Sequence, residues 1–130
     1  CKGVMLTMEN WPNKLVIVRH AQSETNYERE IIEQHDSDKL EVDIKKKKRD
    51  PDILITDLGR EQAKKTGQQL KKEFGSFDMT FVSPYSRARE TADIILKEID
   101  CKTDYRVEER IREKEFGILG RYTKKGIAHY

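Results

Sequence analysis

The 130 residues contain only two cysteines, Cys1 and Cys101, which stand far apart and form no CxxC pair. Neither a cysteine metal cluster nor a disulfide framework is indicated. Two free thiols in a reducing compartment is the simpler reading, and a cytoplasmic location is expected. No run of about 18 apolar residues is present to suggest a transmembrane helix, and no basic-then-apolar leader suggests a signal peptide. An N-terminal cysteine would suit a mature lipoprotein, but a fragment of a longer chain is the simpler account. Charge of one sign is also lacking: 26 basic residues face 24 acidic ones, a net charge of +2. Such a balance gives no electrostatic reason to expect nucleic acid or membrane as a partner. The one basic run, Lys45 to Arg49, reads as a solvated segment, with polyanion binding or nuclear import the minority reading. Hydrophobic residues make up 35% of the chain, fewer than the 38% that are charged. That implies a modest core, or a core missing part of its sequence.

What is present has the organisation of one domain. After a leader ending at Trp11-Pro12-Asn13, Leu15-Val16-Ile17-Val18 reads as a short strand buried on both faces. It stops at Arg19-His20, where the carboxyl end of a parallel strand would place its chemistry. Residues 27–51 form a polar insertion, with a charged helix expected over Tyr27–His35 and a mobile lid beyond it, closed by Pro51. A helix is expected over Leu58–Phe74, capped by Thr56 or Asp57 and stopped at Gly75, with Ala63, Thr66, Gly67, Leu70 and Phe74 on its buried face. Met79–Val82 is a second strand. Ser86–Ile99 is a second helix with a buried stripe of Ala88, Thr91, Ala92, Ile95 and Ile99, and Asp104–Val107 is a third strand. Strands alternating with helices indicate an α/β fold with a parallel sheet. Residues from Glu108 to Tyr130 carry no clear pattern.

Phosphoryl transfer needs a nucleophile, fixed positive charge for the phosphoryl oxygens, and an acid for the leaving oxygen. Neutral imidazole can attack and form a covalent intermediate, which makes His20 the candidate nucleophile. Arg19 and Arg87 supply planar forks that match phosphate oxygens, and their charges would lower the His20 pKa. Arg87 also lies near an expected helix N-terminus, where backbone N–H groups favour an anion. Glu113 is the candidate proton donor. Each residue has an ordinary structural reading too: Arg87 paired with Glu90, Asn26 in a turn, Glu113 as a solvated carboxylate.

Four ordered motifs give these residues a common context. They are Leu15-Val16-Ile17-Val18-Arg19-His20-Ala21-Gln22-Ser23-Glu24-Thr25-Asn26, Ile55-Thr56-Asp57-Leu58-Gly59-Arg60-Glu61-Gln62-Ala63, Ser83-Pro84-Tyr85-Ser86-Arg87-Ala88-Arg89-Glu90-Thr91-Ala92, and Arg110-Ile111-Arg112-Glu113-Lys114-Glu115-Phe116-Gly117. In order and spacing the chain resembles the histidine phosphatase superfamily, which includes the cofactor-dependent phosphoglycerate mutases. The resemblance implies a three-layer α/β sandwich with a mainly parallel sheet. It implies that His20 carries the phosphoryl group, that Arg19 and Arg87 bind it with Asn26 and Ser23 as further polar contacts, and that Glu113 donates the proton. No metal or other cofactor is implied, and the expected partner is a phosphorylated small molecule. Hydrolysis of a phosphomonoester is the expected activity, with mutase-type phosphotransfer or a non-catalytic phosphate-binding module as alternatives.

Two departures matter. Ala21-Gln22 replaces the usual Gly-Glu, which is tolerable if φ at Ala21 is negative. The family's second pocket histidine, on a later apolar strand, has no counterpart, since neither His35 nor His129 follows a buried strand. In the family fold that strand lies between those corresponding to Leu15–Val18 and Met79–Val82, so its absence would leave a gap there. The expectation is therefore a partial domain, the N-terminal part of a longer protein, or a chain completed by another polypeptide, for which a second copy is one choice.

Overall fold

The computed structural model describes residues 12–35, 49–100, 104–117, 120 and 122–129. The leader up to Trp11, residues 36–48 of the insertion and both cysteines fall outside that set, and with them the expectations of a loose leader, a mobile lid and free thiols. Among the described residues the order is α1 (Glu24–Gln34), a 3-10 turn (Asp50–Asp52), α2 (Asp57–Phe74), β1 (Phe81–Val82), α3 (Ser86–Ile99), β2 (Arg106–Val107), a second 3-10 turn (Glu109–Ile111) and α4 (Lys124–His129). No helix among them is long and apolar enough to cross a membrane.

Local sequence explains where the helices begin and end. Ser23 and Asn26 form a capping box for α1, each side chain bonding the other's backbone N–H, which satisfies donors that a first helical turn leaves open. That start falls three residues before Tyr27, because the cap and not the charge pattern sets it. Thr56, rather than Asp57, caps α2: its hydroxyl accepts from the Gly59 N–H at 3.0 Å. Gly75 ends the helix with φ of +76°, a conformation glycine adopts without a Cβ penalty. Asp100 ends α3 in the left-handed region. Thr123 accepts from the Gly126 N–H at the start of α4, a helix in the stretch that sequence periodicity leaves unassigned.

The core is small. Ala21, Ile55, Ala63, Ile95 and Ile99 form its buried cluster, with Leu70, Phe77 and Ile94 packed around it. It sits where α2 crosses α3, and Gly67 makes that approach close, as Gly59 does for the approach of α2 to the Gln22 segment. A Cβ on Gly67 would lie 2.8 Å from the Glu98 Cβ and 3.1 Å from the Ile95 Cα. A Cβ on Gly59 would lie 2.3 Å from the Gln22 carbonyl oxygen, which also accepts from the Thr56 N–H at 2.9 Å. Gly59→Ala should therefore lower unfolding free energy by about 1–3 kcal/mol, the scale of overpacking a close contact. A denaturant midpoint unchanged from the wild type would refute that close approach. The α3 stripe is buried at Thr91, Ile95 and Ile99, but Arg87 is buried with them while Ala88 and Ala92 are only half-buried.

β1 and β2 pair in parallel, with Phe81 opposite Arg106 and Val82 opposite Val107. The described residues thus form a mixed helix and strand structure with a two-stranded parallel sheet, both strands shorter than the sequence suggests. The expectation of a buried strand at Leu15–Val18 is corrected. No ladder forms there among the described residues, and Leu15 and Ile17 are 74% and 85% exposed. β-branched content favours extended backbone, but burial needs a neighbouring strand on each edge and a layer on each face. Met79 and Phe81 are exposed as well.

Candidate active site

Three chain segments meet at His20. The first follows residues 15–18, where the Ala21 N–H donates to the Thr91 hydroxyl on α3 at 3.1 Å. Ala21 is not among the positive-φ residues, so its methyl group is accommodated where glycine is usual. The second is the start of α3, which carries Arg87. The third is the segment after the second 3-10 turn, which carries Glu113.

The His20 Nδ1 lies 2.7 Å from the Ala21 carbonyl. A carbonyl can only accept, so Nδ1 bears the proton and Nε2 keeps its lone pair. That Nε2 is 4.0 Å from Glu113 Oε2. The same Glu113 oxygen accepts from Arg87 Nη2 at 2.7 Å. Imidazole, carboxylate and guanidinium therefore share one corner.

Burial is the largest influence on His20 and holds its pKa below the ordinary 6.5; the Ala21 bond and the Glu113 charge oppose this, and the charges of Arg87 and Arg19 add to it. The arginines thus contribute, as the sequence suggests, but less than desolvation does. At Glu113 burial works to raise the pKa, and the hydrogen bond and charge of Arg87, helped by Arg19, outweigh it and hold the carboxyl below its usual range. Because the folded-state pKa of His20 is lowered, the stability gained by keeping it neutral is full above pH 6.5. It is lost as pH falls below 6.5 toward the folded value. In an NMR titration of the folded chain, the His20 ring should show a midpoint below 6.5. A midpoint at or above that value would remove the case for a neutral nucleophile in mildly acidic solution.

Arg87 does not pair with Glu90, which binds Arg60 instead, at 2.7 Å. Its own side chain is 6% exposed. Besides Glu113 it donates from Nη1 to the Asp50 carbonyl at 2.7 Å, and it stacks on the Tyr85 ring with its central carbon 4.5 Å from the ring centroid. Arg19 is exposed beside His20 and, with it, lines a cleft of about 380 Å³ together with Gln22, Asn26, Arg29, Glu30, Glu33 and Gln62. Asn26 thus reaches the cleft. Ser23 does not line it: its hydroxyl is buried and serves the α1 cap.

Sequence reading missed three contributors. Tyr85, the first variable position of its motif, is fully buried and donates its hydroxyl to the Glu113 carbonyl at 3.1 Å, fixing the Glu113 backbone. Asp50 reaches Arg87 from the end of the insertion. Arg29 lines the cleft, donates from Nη2 to the Gly120 carbonyl, and has a buried Nε with no hydrogen-bond partner. Only Tyr85 lay within a recognisable motif; the other two carried no local signal.

The model of the histidine phosphatase superfamily (branch 1) matches residues 15–130. The chain belongs to that superfamily. Several 2,3-bisphosphoglycerate-dependent phosphoglycerate mutases are similar to it. The protein from Nitrobacter winogradskyi is 33% identical over 111 residues, covering 85% of this chain and 46% of the relative. That from Parvibaculum lavamentivorans is 33% identical over 114 residues, covering 87% and 47%. That from Borreliella burgdorferi is 35% identical over 116 residues, covering 88% and 40%. The chain thus spans less than half the length of each of these curated relatives.

Proposed function

We propose that this superfamily member hydrolyses a phosphomonoester through a phosphohistidine on His20. The observation that carries the proposal is the tautomer-fixing bond from Nδ1 to the Ala21 carbonyl, which leaves the Nε2 lone pair 4.0 Å from a carboxylate held by Arg87. In the first step the Nε2–P bond forms, the ester P–O bond breaks, and Glu113 protonates the leaving alcohol. In the second step Glu113 takes a proton from water as the oxygen attacks phosphorus, the N–P bond breaks and inorganic phosphate leaves. Arg19 and Arg87 hold the phosphoryl oxygens throughout.

Glu113 must be protonated to act first, yet its pKa is lowered by Arg87. A phosphoryl dianion on Arg87 would compete for the guanidinium and bring negative charge beside the carboxyl. Both changes raise the Glu113 pKa, so substrate binding prepares the acid. The cleft beside His20 is lined only by charged and amide side chains apart from His20 itself, which supports a polar, hydrogen-bonding alcohol as the leaving group. For the whole protein we propose the three-layer sandwich, with β1 and β2 as two strands of a wider, mainly parallel sheet. The exposed Leu15, Ile17, Met79 and Phe81 side chains support it.

The names of the relatives favour a second reading, in which a hydroxyl of the substrate and not water takes the phosphoryl group. A single-turnover experiment with a ³²P-labelled phosphomonoester tests both. The expected product is an acid-labile, base-stable label on His20 that decays to inorganic phosphate without an added acceptor. A label that leaves only when a second alcohol is supplied would favour the mutase, and no label on His20 would end both readings.

A further inference from the structure

Arg87 meets more anionic oxygen than a phosphate-binding arginine needs. Asp50-Pro51-Asp52 forms its 3-10 turn because Pro51, second in the turn, fixes its own φ and brings no N–H that would need a partner within the first turn. The Asp50 carbonyl accepts from the Ile53 N–H at 3.3 Å and from Arg87 Nη1 at 2.7 Å. The Asp50 carboxylate faces the same guanidinium, with Oδ1 3.3 Å from Nη1 and Oδ2 3.5 Å from Nη2. Glu113 takes the other side of Nη2 at 2.7 Å. Of the five guanidinium N–H groups, the four on Nη1 and Nη2 thus face protein oxygens.

Resting on the phosphohistidine reading above, we propose that the Asp50 carboxylate is a built-in competitor for the phosphoryl group on Arg87, setting how tightly the site holds phosphate. The two parts of the residue act differently. Its carbonyl contact is short and anchors the turn against α3. The carboxylate contacts are long and the side chain is 48% exposed, so the carboxylate can swing into water while the turn stays in place. A phosphoryl dianion that takes the Nη edge must displace that carboxylate or endure its charge at close range. The same repulsion favours departure of inorganic phosphate at the end of turnover. Asp52, two residues on, is bonded to Arg49 at 3.0 Å and makes a matched control on the same turn.

The test is binding of inorganic phosphate to the full chain, followed by calorimetry or ³¹P NMR. Asp50→Asn removes the charge and keeps the shape and the carbonyl. It should bind phosphate roughly ten-fold more tightly than the wild type, the scale of one like charge removed at close range near a surface. Asp52→Asn should match the wild type. Asp50→Ser, a second neutral variant, should repeat the Asp50→Asn result even if the asparagine variant folds poorly. Equal or weaker binding by the neutral variants would overturn the proposal and make Asp50 a brace for Arg87. Absence of phosphate binding by the wild type and by both neutral variants would sink the phosphate site itself, and the competitor with it. The His20 label described above reports on the underlying reading independently of either variant.

Discussion

Replacing His20 with alanine should abolish both the phosphoenzyme and turnover of a phosphomonoester such as p-nitrophenyl phosphate. The proposed nucleophile is one atom, Nε2, whose lone pair is left available by the Nδ1 bond to the Ala21 carbonyl. Among the described residues the neighbours are poor substitutes. The Ser23 hydroxyl is buried in the α1 cap, and the Tyr85 hydroxyl donates to the Glu113 carbonyl. The Glu113 carboxylate could attack only by forming an acyl phosphate, which is labile to base, unlike the acid-labile phosphoramidate. The substitution should leave most of the fold intact, since His20 lies outside the buried apolar cluster and its Nδ1 bonds only the carbonyl of the adjacent Ala21. Far-UV circular dichroism would show retained helix beside lost activity. Turnover of His20→Ala at the wild-type rate would end the phosphohistidine mechanism.

Arg87→Ala should be the next most damaging change, with kcat lower by about 10²–10³-fold, or about 2.7–4 kcal/mol, the scale of removing one preorganised donor from a developing negative charge. Two effects add. The fork that would hold phosphoryl oxygens is gone, and Glu113 loses the hydrogen bond and charge that counter its burial. The Glu113 pKa should therefore rise in the variant, and the activity that remains should persist to higher pH on the limb governed by that acid. Arg87→Lys should recover part of the loss, since it restores charge without the planar fork. Steady-state rates across pH for the three proteins check this. An alanine variant with wild-type kcat would show that Arg87 has only the structural role suggested by its burial against Tyr85.

Particular residues show why some features were legible in the sequence and others were not. The start of α3 at Ser86 and its end at Ile99 follow from local pattern, and the Thr56 cap and Gly75 stop are local chemistry completed within a few residues. The grouping of His20, Arg87 and Glu113 was legible only through motif resemblance, because they lie far apart in the chain. Ser23, expected as a substrate contact, has its hydroxyl in the α1 cap: a serine before a helix suits cap and ligand equally well on paper, and only geometry shows the cap. Leu15–Val18 failed as a buried strand for the opposite reason. Its residues specify an extended backbone, while burial depends on what lies beside and above it.

The sequence by itself determined the courses of α2 and α3, the Gly75 stop and the superfamily, and it named His20 as the candidate nucleophile, because periodicity, capping and motif spacing are properties of short segments. Tertiary structure decided which cause dominates the His20 pKa, that Tyr85 fixes the Glu113 backbone, and that Asp50 shares Arg87 with Glu113. Desolvation depends on everything packed around a group. A guanidinium's partners depend on which distant segments the fold brings within 3 Å or so of it, at the reach of a hydrogen bond. Neither is encoded within the few residues on either side.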